Sequence, residues 1–317
     1  MNLSGERVLV TGGAGVIARE VLERLGEAGA NVLSVDRLPL AFEPPVGVRH
    51  RTADLALADL GELADFRPSI VLHLAATFER SAESAEFWEQ NWSDNVIVTH
   101  RLAELFGRTR SVQSFVFASS YLAYATNQYL FAEPAPDGVA LSESDAIVPR
   151  NLCGAAKLYG EAEIAFATGV MGGGFRSVAA RIFRVYGRGS RDIVSRWVRA
   201  ALGGVPVDVY NAENRFDYIY SGDVAEGLIR LAFTPGAEGV VNLGSGRSRT
   251  ISEVRQIVES ATERPLASTV IDTDEPYEAS RADLRRLEAM LGWAPPTTLE
   301  DGIARVVAFE SQVPRGV

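Results

Sequence analysis

The segment Thr11-Gly12-Gly13-Ala14-Gly15-Val16-Ile17-Ala18 constrains this chain more than any other, because a glycine-rich turn wedged between an apolar run and a helical pattern admits few folds. Arg7–Thr11 (RVLVT) reads as a short strand, and Val16–Glu27 has helical spacing. Between them, Gly13, Gly15 and Ala18 supply Gly-x-Gly-x-x-Ala. Gly12 and Gly13 permit the tight turn, Gly15 lets a pyrophosphate approach the backbone, and Ala18 allows the helix to pack closely on the strand. The helix N-terminus at Val16 and Ile17 favours phosphate charge. A second run, Asn31–Val35, ends on Asp36, about 20 residues past the turn, where a carboxylate binds the adenosine ribose hydroxyls and repels a 2′-phosphate. Arg37 beside it softens that preference. The order strand, turn, helix, strand, Asp predicts a nicotinamide dinucleotide site that takes NAD rather than NADP.

The same alternation continues. Val48–Thr52, Ser69–Leu74, Ser114–Ala118 and Ser177–Phe183 are short strand-like runs, and Asn95–Phe106 and Cys153–Thr168 read as helices. Short β-branched runs alternating with helices imply βαβ units and a parallel sheet with right-handed crossovers. The predicted fold is α/β, a Rossmann-type doubly wound parallel sheet with a smaller C-terminal substrate lobe. The expected division is 1–183 for the NAD-binding domain, with 210–245 returning to it, and 184–209 plus 246–317 for the substrate lobe. Asn127–Val148, rich in Pro, Gly, Asp and Glu, is predicted to be a long surface loop near the site.

Composition narrows the partners. A formal net charge of −10 argues against nucleic acid or an anionic membrane as the main partner. There is one cysteine, Cys153, so no intrachain disulfide forms, and three histidines without cysteine/histidine spacing predict no metal site. His73 ends an apolar run and reads as a satisfied core histidine. No run of about 18 apolar residues exists to span a membrane. The N-terminus enters a strand pattern at once and leaves no room for a signal peptide, which predicts a cytoplasmic protein.

The ordered motifs resemble the extended short-chain dehydrogenase/reductase family, the nucleotide-sugar epimerases and dehydratases, over nearly the whole chain. Residues 11–18 resemble its TGGxGxxG opening, and Asp54-Leu55 the pair that holds the adenine. His73-Leu74-Ala75-Ala76 is similar to its HLAA strand end beside the cofactor, and Asn95-Val96 with Thr99 to its NVxGT helix start. Ala118-Ser119-Ser120 with Tyr124 resembles SSxxVYG, and Lys157-Leu158-Tyr159-Gly160-Glu161 the end of its YxxxKxxxE helix. Downstream, residues 181–187, 217–225, 242–246 and 291–295 resemble LRxxNVYG, DFIYVDDVA, NIGSG and LGWxP. The resemblance implies NAD as cofactor and a small-molecule substrate, a nucleotide sugar among them. It also implies a homodimer formed by helices 95–106 and 153–168, where Ala155, Ala156, Ala162, Ala165 and Ala167 permit close approach. The implied cofactor contacts are Gly12, Gly15, Val16, Ile17, Asp36, Arg37, Asp54, Leu55, Leu74, Ala75, Ala76, Asn95 and Lys157. Ser120 and Lys157 are implied as catalytic, and Arg184, Arg215, Phe216 and Arg281 as substrate-binding.

The pattern breaks at the family's working trio of Ser, Tyr and Lys. Four residues before Lys157, where the family has Tyr, stands Cys153. It shares a helix face with Lys157. A thiol is acidic enough, at about 8.5 against about 10 for a phenol, but it ends several ångströms short of a phenol oxygen. Tyr121, Tyr124 and Tyr159 are the candidate substitutes. Tyr159 lies two residues past Lys157 and faces away, which leaves Tyr121, beside Ser120, as the better placed. Arg184 stands where NVYG has Asn, and Phe216 where RDF has Arg, so Arg184 either supplies positive charge to a substrate anion or forms a structural ion pair. Three readings follow: an NAD-dependent epimerase or dehydratase with an altered acid/base, an NAD-binding protein without redox turnover, and a non-redox enzyme on the same fold that uses Cys153.

Overall fold

A computed structural model describes residues 1–78, 84–169 and 174–312. Seven parallel strands form its main sheet: β1 (Arg7–Thr11), β2 (Asn31–Asp36), β3 (Val48–Thr52), β4 (Ile70–His73), β5 (Ser114–Ser120), β6 (Arg176–Ile182) and β7 (Gly239–Leu243). Their order is β7-β6-β5-β4-β1-β2-β3, so the chain reverses direction across the sheet between β1 and β4. That crevice is where an open parallel sheet binds ligands.

Both faces of the sheet are covered, which is why its strands read as continuous apolar runs rather than alternating ones. Val8, Val10, Leu72 and Val116 point to one face and pack against α1 (Val16–Glu27) and α4 (Ser221–Phe233). Leu9, Leu33, Val71, Phe115 and Phe117 point to the other and pack against α2 (Val98–Gly107) and α3 (Leu152–Gly169). The helix predicted from Asn95 begins differently from the expectation. A helix over Ala85–Asn91 runs into one π-helical turn, Trp92–Ile97, before α2 starts. That wider turn buries Asp94 and Asn95 together.

The smaller lobe has its own core around Trp197, Val198, Val254 and Ile303. A three-stranded sheet of Arg184–Tyr186, Arg215–Tyr220 and Ser248–Thr250 links it to the main sheet. The stretch 127–148 is not the plain loop expected. Leu130–Phe131 pairs with Tyr277–Glu278, and Val139–Leu141 with Ser280–Ala282. Two carboxylates pin the lobe in place. Asp217 accepts from Ser245 N and Oγ, each at 2.7 Å, and from Gly246 N and Ala282 N, each at 2.9 Å. A Cβ at Gly244 would lie 2.6 Å from the same carboxylate. Asp223 accepts from Thr297 N (2.9 Å) and Oγ1 (2.8 Å), which docks the segment after Trp293 onto α4.

Candidate active site

At Gly12 the backbone has φ 76°, and an added Cβ would lie 2.6 Å from Ala75 N and 2.8 Å from Leu74 C. Glycine is required twice there, by conformation and by contact. Gly15 caps α1 in an extended conformation with no side-chain hydrogen bond to the first turn. The N–H groups of Val16, Ile17 and Ala18 therefore have no intrahelical acceptor and form an anion cradle. A Cβ on Gly15 would meet only the Gly12 carbonyl, at 3.1 Å, so the space beyond is open to a ligand. Asp36 ends β2 beside this turn, where its carboxylate accepts from Ala14 N at 3.1 Å and Leu38 N at 2.9 Å. Leu74, Ala75 and Ala76 run across the end of β1, with Leu74 N donating to Thr11 O at 3.2 Å and Ala75 N to Thr11 Oγ1 at 3.3 Å. These residues fit a dinucleotide: a helix N-terminus whose N–H groups suit the pyrophosphate and a carboxylate placed for the ribose.

Other expected cofactor contacts have protein partners. Arg37 pairs with Asp94 at 2.9 Å and ties the end of β2 to the π-helical turn. Asp54 turns its Oδ1 to Ala56 N at 2.9 Å, and the Leu55 side chain is buried in the α2-side core. Asn95 clamps the chain just past Ala76: it accepts from Thr77 N at 2.8 Å and donates to Thr77 O at 3.0 Å. It positions the chain at Thr77. His73 is the core histidine expected. It sits between Thr11 Oγ1 (2.7 Å) and Thr99 Oγ1 (3.0 Å), and burial, with help from Lys157, takes its pKa down to about 3, so it is neutral.

The catalytic candidates converge at the ends of β4 and β5. Ser120 closes β5 with its Oγ 3.2 Å from Leu122 N. Lys157, on α3, is only 7% exposed; its ammonium lies 4.7 Å from the Phe117 ring centroid and hydrogen-bonds to no described residue. One turn earlier, the Cys153 thiol donates to Thr77 O at 3.3 Å and lies 3.7 Å from Asn95 Nδ2. It is thus held to the backbone just past the end of β4. Tyr121 is not the free substitute expected. Its phenol donates to Glu278 at 3.1 Å, its ring stacks on Phe183, and burial pushes its pKa well above the usual phenol value. Tyr124 is committed to Asn242 at 2.7 Å, with burial raising it to about 12. Tyr159 is half-exposed on the outer face of α3.

Sequence reasoning missed the hub that joins Tyr121, Arg150 and Arg184. Glu278, 2% exposed, accepts from Tyr121, Arg150 and Ser280 and pairs with Arg184 at 3.5 Å. A lone acid between small and apolar residues (Tyr277-Glu278-Ala279) was the available signal, since buried carboxylates need partners. Arg184 also lies flat on Phe216, 3.6 Å from the ring centroid, and its Nε is buried with no hydrogen-bond partner among the described residues. Phe216 is therefore the floor under Arg184. Arg215 and Arg281 do not join them. Arg215 donates to Ala135 O at 3.0 Å and Arg281 to Gly138 O at 3.0 Å, so both brace the 127–148 stretch. Among the described residues no cluster of three or more His, Cys, Asp or Glu could hold a metal, and no helix is long and apolar enough to cross a membrane.

A profile of the NAD dependent epimerase/dehydratase family matches residues 8–244. The chain is 28% identical to a UDP-glucose 4-epimerase of Mycolicibacterium smegmatis over 96% of its own length and 98% of the relative's. It is 26% identical to a dTDP-4-dehydro-6-deoxyglucose reductase of Escherichia coli, covering 95% and 96%. Among solved structures it is similar to MoeE5 in complex with UDP-glucose and NAD, at TM-score 0.84, 28% identity and coverage of 97% and 99%. It is also similar to the Thermus thermophilus UDP-glucose 4-epimerase complex with NAD, at TM-score 0.81, 27% identity and coverage of 97% and 100%.

Proposed function

The chain belongs to the NAD-dependent epimerase/dehydratase family, and from that premise we propose that it binds NAD at the Gly12–Gly15 cradle and transiently oxidises a hydroxyl of a nucleotide-sugar-type substrate. The observation that carries this reading is the pairing of an intact cradle with a buried Lys157 ammonium that no described residue satisfies. A similar protein whose structure holds NAD with UDP-glucose supports the substrate class. When bound, NAD supplies the hydride acceptor. Ser120 orients the substrate hydroxyl, Lys157 brings its amine beside it, and Asp36 holds the adenosine ribose. The test is single-turnover formation of NADH absorbance from a panel of UDP- and dTDP-hexoses. Tight sugar-nucleotide binding without any absorbance change favours the alternative, a protein that binds NAD without turnover, which the engaged Cys153 thiol would suit.

Asp36 carries the cofactor preference. On protein stripped of nucleotide, calorimetry should show NADP binding at least about tenfold more weakly than NAD, roughly 1.4 kcal/mol, and Asp36→Asn should narrow the gap. Equal affinities for the two in the unaltered protein count against this role.

Arg184 is assigned to a substrate anion. Its side chain is part-exposed, its one ion pair among the described residues is 3.5 Å long, and its Nε has no hydrogen-bond partner among them, so donors remain for an anion. Arg184→Ala should cost about 1.5–3 kcal/mol of UDP-glucose affinity, the worth of a charged hydrogen bond, with NAD affinity unchanged. A drop in melting temperature with no loss of UDP-glucose affinity would mark the residue as Glu278's structural partner alone.

The same reading includes a homodimer and a cytoplasmic setting. Ala155, Tyr159, Ala162 and Phe166 form an exposed stripe along α3, and Trp88 and Trp92 stand exposed on the neighbouring helical segment, at 63% and 58%. An apolar face of this kind marks an interface. Light scattering should give the mass of two chains at micromolar concentration, and Phe166→Glu should shift it toward one.

A further inference from the structure

Resting on that hydride-transfer reading, we propose that Lys157 is itself the proton carrier of the reaction, exchanging a proton directly between its Nζ and the substrate hydroxyl. The geometry leaves room for it. The position one turn before Lys157 holds a thiol bound to the Thr77 carbonyl, so no phenol stands between the amine and the pocket. The other protonatable groups in reach are committed among the described residues. Tyr121 is bound to Glu278 and Tyr124 to Asn242. His73 is neutral between two threonine hydroxyls. Glu161 is taken by Arg181, at 2.9 and 2.8 Å, and by Ser119, at 2.5 Å. Among the described residues Lys157 alone combines burial, a place on the helix face of Cys153 and an ammonium without a hydrogen bond to any of these groups.

The groups facing Lys157 are Cys153 and Glu161 on its own helix, His73 on β4 and the Phe117 ring on β5. Burial brings its pKa down to about 8, with Cys153 and Glu161 pulling the other way. An amine that titrates near the working pH serves as base and as acid. The step balances with the family's cofactor as oxidant. The O–H bond breaks and its proton goes to neutral Nζ, the C–H bond breaks and its electron pair leaves with hydrogen as hydride to the nicotinamide of oxidised NAD, and a carbonyl forms. The reverse step returns the hydride to carbon and the proton from the ammonium to oxygen.

The test compares the unaltered protein with Lys157→Arg, which keeps the charge but cannot give up a proton, and with Lys157→Ala. Isotope-edited NMR of the lysine side chains, on protein with NAD and without substrate, reads Lys157 directly. The expected results are a Lys157 titration near 8 and a single-turnover rate that rises with pH to a plateau above that value. Lys157→Arg should bind NAD by calorimetry but lose about 10²–10⁴ in rate, the size of a general acid/base contribution. Added primary amines should restore Lys157→Ala in proportion to their basicity, which a charge or ribose clamp would not do, and Cys153→Ala should cost far less than Lys157→Arg. Hydride transfer that survives in Lys157→Arg within about tenfold, or a Lys157 that titrates at the ordinary lysine value, overturns the proposal alone. A protein that binds sugar nucleotide and NAD yet never forms NADH overturns the proposal together with the functional reading on which it rests.

Discussion

Replacing Glu161 by leucine is expected to lower the stability of this protein by about 3–5 kcal/mol, the cost of leaving one member of a buried ion pair alone. Glu161 and Arg181 form a two-pronged pair between α3 and β6, with side chains 6% and 2% exposed. Burial works against the charge on Arg181; the Glu161 hydrogen bonds more than offset that and hold its pKa above the ordinary arginine value. Without Glu161, the guanidinium keeps its charge in a closed space, under the Tyr124 ring at 4.8 Å. Ser119 also loses its acceptor, so damage spreads toward the strand that ends on Ser120. Urea unfolding measures the loss, and the double variant Glu161→Leu/Arg181→Met should recover most of it, because two apolar side chains leave no stranded charge. A single variant that costs less than about 1 kcal/mol would mean that water reaches Arg181.

The second large effect separates two neighbouring glycines. Gly12→Ala should lower both melting temperature and NAD affinity, the latter by more than about a hundredfold, or ~2.7 kcal/mol. A left-handed φ costs an alanine about 1–2 kcal/mol, and the new methyl would meet the backbone of Leu74 and Ala75, which cannot rotate away. Gly15→Ala meets only one carbonyl oxygen at 3.1 Å, so the protein should melt near its usual temperature while NAD affinity falls, because the methyl fills space assigned to the pyrophosphate. Identical behaviour of the two variants would refute the assignment of Gly15 to the cofactor and Gly12 to the turn.

The parts of the fold that were legible are those built from local pattern. β1 and α1 match their predicted limits residue for residue, since a continuous apolar run, a glycine turn and an amphipathic helix each leave a local mark. Cys153 was legible as a departure because Lys157 fixes the spacing. Its thiol's destination was not, because Thr77 lies 76 residues away along the chain. The same limit hid the pairing of 130–131 and 139–141 with residues 277–282, and with it Glu278. The partner of Tyr121 was hidden for a related reason. Its neighbour Ser120 was visible, whereas the carboxylate that claims its phenol lies 157 residues downstream. The π-helical turn leaves a helical pattern in the residues and declares itself only in the backbone.

Asp217 bears on how the smaller lobe moves. Its four donors come from the Ser245–Gly246 turn and from Ala282, and the carboxylate itself sits on the strand Arg215–Tyr220. No one of these segments can lift without stranding a buried charge for the others, so they open together or not at all. A lobe fastened in this way does not swing as an independent lid. Any widening between the lobe and the main sheet falls to segments that Asp217 does not hold.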